Sequence, residues 1–172
     1  MADAIDAVID QWRRVRPDVD IWPMGVLGRI ARLSRVLERE NKKFLVEHGL
    51  EAFEFDVLTT LRRSGEPYEL TASALLKAAL VTSGAITNRI DRMEFKGLVE
   101  RVRDLDDRRS VRVRLTPHGR EVLDGIFSLH IANMERMLRP LNPEESEQLA
   151  GALRILLESF GDTSLECGKQ LC

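Results

Sequence analysis

Thr87, Asn88 and Arg92, with Ser83 just ahead of them, are residue types that could read a nucleic acid. Hydroxyl, amide and guanidinium groups hydrogen-bond base edges in a major groove and the phosphates beside it. Their spacing suits one helix. At about 100° per residue, Ile86, Ile90 and Met93 share one face, while Thr87, Asn88, Asp91 and Arg92 fall on the other. Thr82 or Ser83 can cap the first turn, and Gly97 can end the last. The outward face is polar and carries few acids.

A second group follows directly. Leu98, Glu100 and Val102 alternate with Val99, Arg101 and Arg103, and Val111, Val113 and Leu115 alternate with Arg112 and Arg114. The two period-2 runs meet at the charged segment Asp104-Leu105-Asp106-Asp107-Arg108-Arg109, which predicts a β-hairpin with a basic tip. Arginines outnumber acids from Arg89 to Arg114, an excess available to phosphates. A helix followed at once by such a hairpin reads as a winged helix-turn-helix. The competing reading is an amphipathic helix beside a solvated hairpin.

Helices must hold this pair in place. Ile5, Val8, Ile9 and Trp12 stripe a first helix over residues 3–16, and Pro17-Asp18-Val19-Asp20 breaks it. A longer helix starts at Trp22-Pro23, with Leu27, Ile30, Leu33, Val36 and Leu37 on its stripe, and stops near His48-Gly49. A third, about 51–63, carries Phe53, Val57 and Leu61 into the turn Ser64-Gly65-Glu66-Pro67. Leu70-Thr71 leads into a short helix over Ala72–Leu80. After the hairpin, Thr116-Pro117 starts a helix reaching about Arg139, and Pro140 to Pro143 separate it from a last helix over about 144–160. The expected fold is mostly α with a small β-hairpin: a winged helix-turn-helix with a helical dimerisation region and an extra N-terminal helix. Its expected segments are 1–48 (ligand-site and dimerisation helices), 49–116 (DNA-binding lobe), 117–160 (C-terminal dimerisation helices) and 161–172 (a flexible tail). The terminal helices carry more apolar surface than one small winged helix covers, so an intertwined homodimer is expected. A monomer whose helices cover each other is the alternative.

Composition sets bounds. The chain has 172 residues, 44% of them hydrophobic and 31% charged, with a formal net charge of −2. That excludes a uniformly basic coat, so charge distribution must do the work. The acidic start is unlike a signal peptide and no apolar run is long enough for a membrane span, so the expected compartment is the cytoplasm. Cys167 and Cys172 both lie in the last six residues, which rules out a disulfide framework and suggests either a frayed tail or an oxidant-sensing pair. There is no Gly-rich phosphate loop, no Ser–His pairing and no metal-ligand cluster; His48, His118 and His130 are scattered and read as surface or cap residues. Neither catalysis nor a cofactor is expected.

In this order of elements the chain resembles the MarR family of bacterial transcriptional regulators over roughly residues 22–160. The most specific segments are TSGAITNRIDRMEFKGLVER at 82–101 and DLDDRRSVRVRLTPHGREVL at 104–123. The resemblance implies a homodimer that represses genes on palindromic promoter DNA and lets go on binding a small molecule. In the family's wing an aspartate holds an arginine for minor-groove contact. Asp107 and Arg109 match those positions, with Arg108 a near alternative, while Leu105 stands where the family commonly has proline.

The segments QWRRVRPDVDIWPM at 11–24 and EFDVLTTLRR at 54–63 are similar to the urate-responsive branch, of the PecS and HucR type. That branch uses a tryptophan, an aspartate and two arginines at its ligand site, and Trp12, Asp56, Arg89 and Arg101 match them. The residue chemistry is compatible. Trp12 offers a flat face for a planar purine and Arg101 a fork of donors for an anionic ring. Arg89 lies about 60° from Ile86, at the edge of the apolar face, so Asp56 and Arg89 could partner each other. The implied switch is an anionic purine, urate first, that enters between the first helix and the lobe. It would be held by Trp12 and Arg101, displace Asp56 and break an Asp56–Arg89 contact. A phenolic or carboxylic acid, or oxidation of the tail cysteines, is the alternative signal.

Overall fold

The computed structural model describes residues 2–78, 86–103 and 111–163, without the side chains of residues 76–78 and 86. In chain order its elements are α1 (Ala4–Val15), α2 (Trp22–Glu47), α3 (Ala52–Arg63), β1 (Glu69–Thr71), α4 (Ala72–Ala78), α5 (Ile86–Phe95), β2 (Val99–Arg103), β3 (Val111–Leu115), α6 (Pro117–Leu138) and α7 (Pro143–Ser159). They form two compact units, residues 1–43 and 44–172, with the boundary inside α2. Among the described residues no helix is long and apolar enough to cross a membrane.

The first unit is a helical pair. Asp3 caps α1 by accepting from the N–H groups of Ile5 and Asp6, and the Asp6 carboxylate accepts from Asp3 N–H in return. The Arg29 guanidinium then reaches back from α2 to Asp3 at 2.8 Å and Asp6 at 2.6 Å. These pairs are exposed, so they orient α1 more than they stabilise it. Ile5 and Ile9 pack where α2 has glycine: a Cβ on Gly28 would stand 3.0 Å from Ile5 Cδ1.

The second unit is built around α3. Phe53, Val57, Leu58 and Leu61 are buried on it and meet Leu75 of α4, Ile90 and Met93 of α5, Val99 of β2, Val113 of β3 and Leu123 of α6. These are the apolar stripes that periodicity predicts, and burying them drives the packing. Local signals end the elements where expected. At Gly97 (φ 69°), Leu98 N–H donates to Met93 O and Gly97 N–H to Glu94 O, both at 2.9 Å, turning α5 into β2. Thr116 Oγ1 accepts from Gly119 N–H at 2.9 Å and Pro117 takes the first helical position, so α6 begins where the sequence indicates. Asn142 and Glu145 cap α7 reciprocally.

The expected hairpin is part of a larger sheet. β1 pairs antiparallel with β3, giving a three-stranded sheet of order β1-β3-β2. Glu69 and Glu100 both face Arg114 across the sheet, and Arg114 pairs with Glu69 at 2.6 Å and Glu100 at 3.7 Å. Three residues are too few to show a period of two, which is why β1 leaves no mark in the sequence pattern.

His130 also departs from the surface or cap role expected of it. Its ring lies 4.5 Å from the ring of Phe55 and 5.8 Å from that of Phe44, its Nδ1 is buried, and burial holds its pKa below the ordinary imidazole value. His48 does cap: its Nδ1 lies 2.8 Å from Phe44 O near the end of α2.

Candidate nucleic-acid interface and effector residues

α5 sits in the second-helix position of the helix-turn-helix, and α3 fixes its aim. Ile90 and Met93 are buried in the core. Lys96, just past the end of α5, reaches Glu54 at 2.6 Å, and Arg92 reaches Glu51 at 3.3 Å. Glu54 is itself buried, and its second oxygen accepts the Glu51 N–H at 3.0 Å, so both carboxylate oxygens are satisfied. Arg89 lies against α3 too, its guanidinium carbon 4.8 Å from the centre of the Phe53 ring. Two buried apolar side chains, with Arg89 and Lys96, thus hold α5 to the lobe. Thr87 and Asn88 remain exposed on the opposite face, as the periodicity indicates, and Arg92 is exposed beside Glu51.

Ser83 lies outside the described residues, as do the wing-tip residues Asp107, Arg108 and Arg109 and the tail cysteines Cys167 and Cys172. Of the described wing arginines, Arg103 is exposed and the others face acids. Arg112 and Arg114 face Glu69, at 3.9 and 2.6 Å, and Arg101 is paired with acids of α5. Among the described residues, the charges of Arg92, Arg101, Arg112 and Arg114 are thus met by acids of the lobe, which a count along the chain could not reveal.

The four residues matched to the urate-responsive branch are placed as follows. Trp12 belongs to the first unit and is 45% exposed. Asp56 is half-buried on α3. Arg101 on β2 bridges Asp91 and Glu94, each at 2.5 Å. Among the described residues no ion pair joins Asp56 to Arg89, contrary to expectation. Arg89 is turned onto Phe53, and the cation acting on Asp56 is Arg63, two turns along the same helix.

Burial pushes the Asp56 pKa up, and the charge of Arg63 only partly offsets it. The folded chain therefore binds this proton more readily than the unfolded chain, and its stability falls as pH rises through the raised pKa. Asp56→Asn is expected to raise the melting temperature at neutral pH. That advantage should disappear on acidification below the ordinary carboxylate value of about 3.9. With solvent still reaching the side chain, the gain should stay near or below about 1 kcal/mol. Thermal melts across pH decide it, and a lower melting temperature at neutral pH would show that a partner satisfies the charged form.

One feature had no sequence signal beyond the adjacent basic pair Arg62-Arg63. Between α3 and α6 lies an open cavity of about 330 Å³, lined by Thr59, Arg62, Arg63, Leu123, Asp124 and Phe127. Arg62 stands 4.9 Å from the centre of the Tyr68 ring and 3.6 Å from Asp124. Its lining thus combines the apolar Leu123 and Phe127 with two arginines and one acid.

The order α3, α4, α5 and then a three-stranded sheet, with a polar face exposed on α5, is that of a winged helix-turn-helix DNA-binding lobe. Comparison with known proteins agrees. Residues 50–111 match the MarR family model. The HTH-type transcriptional regulator PecS of Dickeya dadantii (strain 3937) is 36% identical over 149 residues, covering 87% of this chain and 90% of that one. Among solved structures, AbsC, a MarR family transcriptional regulator from Streptomyces coelicolor, matches with a TM-score of 0.73 and 25% identity over 84% of this chain and 98% of its own. A mutant MarR from E. coli complexed with operator DNA matches with a TM-score of 0.68 and 27% identity over 81% of this chain and 99% of its own. The chain belongs to the MarR family of transcriptional regulators.

Proposed function

We propose that this protein is a cytoplasmic homodimeric repressor that binds a palindromic promoter sequence and is released by urate or a related anionic purine. The observation that carries the DNA reading is the face of α5, where Thr87 and Asn88 stay exposed while Ile90, Met93, Arg89 and Lys96 hold the helix to its lobe. In this reading Ser83, Thr87, Asn88 and Arg92 address the major groove. Asp107 orients Arg109, with Arg108 beside it, toward the minor groove or its phosphates. The dimer is supported by α7, whose 17 residues include none that is buried within the single chain. Two copies would present two α5 helices to successive major grooves.

The urate part rests on the residue match at Trp12, Asp56, Arg89 and Arg101 and on the similarity to PecS. Trp12 supplies an exposed indole face for stacking, and Arg101 is a guanidinium already engaged with carboxylate oxygens. Repression lifts only if the effector binds the DNA-incompetent state more tightly. A phenolic or carboxylic acid is the second reading, favoured by the Arg62–Arg63 cavity, which contains none of the four matched residues.

Tryptophan fluorescence during a urate titration, corrected for urate absorbance, tests the effector. Saturable quenching is expected in the wild type and should be lost in Trp12→Phe, with Trp22 supplying the residual signal. Equal quenching in Trp12→Phe, or no binding by calorimetry, would remove urate from this site. Salicylate binding sensitive to Arg63→Gln would then favour the cavity.

A further inference from the structure

Arg101 stands between the wing and the helix that faces DNA, and both of its terminal nitrogens are taken by that helix. Nη2 donates to Asp91 Oδ1 and Nη1 to Glu94 Oε2, each at 2.5 Å. The backbone N–H of Arg101 donates to the other Glu94 oxygen at 3.0 Å. Glu94 thus grips β2 by main chain and side chain together. Asp91 lies one helical turn beyond Thr87, on the exposed face of α5. An unneutralised carboxylate there would repel phosphates.

We propose that Arg101 is a charge-masking and positioning residue for DNA binding. It cancels Asp91 and Glu94, two acids on the helix that enters the groove, and ties the base of the wing to that helix. Two consequences follow from one bond set. Losing the guanidinium bares two negative charges toward the phosphate backbone, and it frees β2 from α5, so the wing no longer keeps a fixed angle to the helix. An anion that captured Arg101 would do the same, which gives a small acid a direct route to DNA release with no Asp56–Arg89 contact. The inference rests on α5 facing DNA, part of the reading above, and requires no particular effector.

The masking is separable from a direct phosphate contact by Arg101 through a mutant cycle. The full-length chain is measured by fluorescence anisotropy on a duplex that it selects from a random-sequence pool, across a salt series. Arg101→Gln should bind about tenfold more weakly or worse at low salt, with the deficit shrinking as salt rises. Neutralising the acids with Asp91→Asn and Glu94→Gln should recover the charge part of that loss in the Arg101→Gln background, leaving the part due to the freed wing, and should raise affinity much less when Arg101 is already cancelling them. Arg101→Lys, which keeps the charge but not the fork, should fall between wild type and Arg101→Gln. Its melting curve also checks that folding survives a change at this site.

Wild-type affinity in Arg101→Gln, or an acid-neutralisation effect of the same size with and without Arg101, would overturn the proposal. A wild-type chain that selects no duplex would instead defeat the underlying reading of α5, a distinguishable result.

Discussion

Gly119→Ala is expected to cost about 3 kcal/mol or more of folding stability, large for the addition of one methyl group. A Cβ at this position would overlap the Leu98 carbonyl oxygen and stand 2.9 Å from the carbonyl carbon and 3.0 Å from Leu115 Cδ1. The two Leu98 atoms belong to the backbone and cannot swing aside. Leu98 O is moreover anchored, because it accepts from Thr116 N–H at 3.2 Å and Thr116 Oγ1 at 3.1 Å. The start of α6 would have to lift from the end of α5, pulling the Thr116 cap and β3 with it. Urea unfolding measures the loss. Gly125→Ala is the control in the same helix, since a methyl group there would meet nothing within 4 Å. It should be neutral or gain about 0.5–1 kcal/mol. Equal midpoints for wild type and Gly119→Ala would mean that α6 does not approach Leu98 so closely.

The second large effect concerns assembly. Replacing Leu149 and Leu156 together by aspartate is expected to halve the particle mass in sedimentation and to weaken operator binding by roughly a hundredfold or more, since the second half-site contact is no longer intramolecular. Both leucines are exposed in the single chain, as are Ile155, Leu157 and, at the end of the same helix, Phe160. Within one copy the substitutions therefore touch little. In the proposed homodimer their cost falls on the seam along α7, where two buried carboxylates would be strongly unfavourable. The design separates stability from association: a double variant that keeps its helical content yet sediments as a monomer supports the homodimer. An unchanged mass together with unchanged DNA affinity would show that this stripe of α7 is not the seam.

These two experiments probe different kinds of information. The features that local sequence decides are readable in advance. Gly97 stops α5 because a residue with φ 69° favours glycine, and Thr116-Pro117 and Asn142 start α6 and α7 because a cap satisfies N–H groups only two or three residues away. The stripe of Ile90 and Met93 opposite Thr87 and Asn88 follows from helical geometry alone. The winged fold follows from these local signals taken in order, whereas the family rests on the resemblance of the segments at 82–101 and 104–123 and on the match to relatives.

What pairs across long separations is not readable in this way. Arg92 meets Glu51, 41 residues away, and Lys96 meets Glu54, 42 residues away. Nothing in the spacing of either residue marks its partner. Arg89 could be placed at the edge of the apolar face, but its angle did not distinguish Phe53 from Asp56 as its neighbour. Arg101 could be assigned to a strand and to a charge, but not to the two acids of α5 that hold it. Period, capping and turn chemistry act within a few residues and are written into the sequence, so by itself it determined the elements other than β1, their order and the exposed polar face of α5. Which charge neutralises which, and so which arginines remain for DNA or an anion, depends on how separate elements pack. The tertiary structure alone decided that, because Coulomb pairing acts over ångströms in space with no regard for distance along the chain.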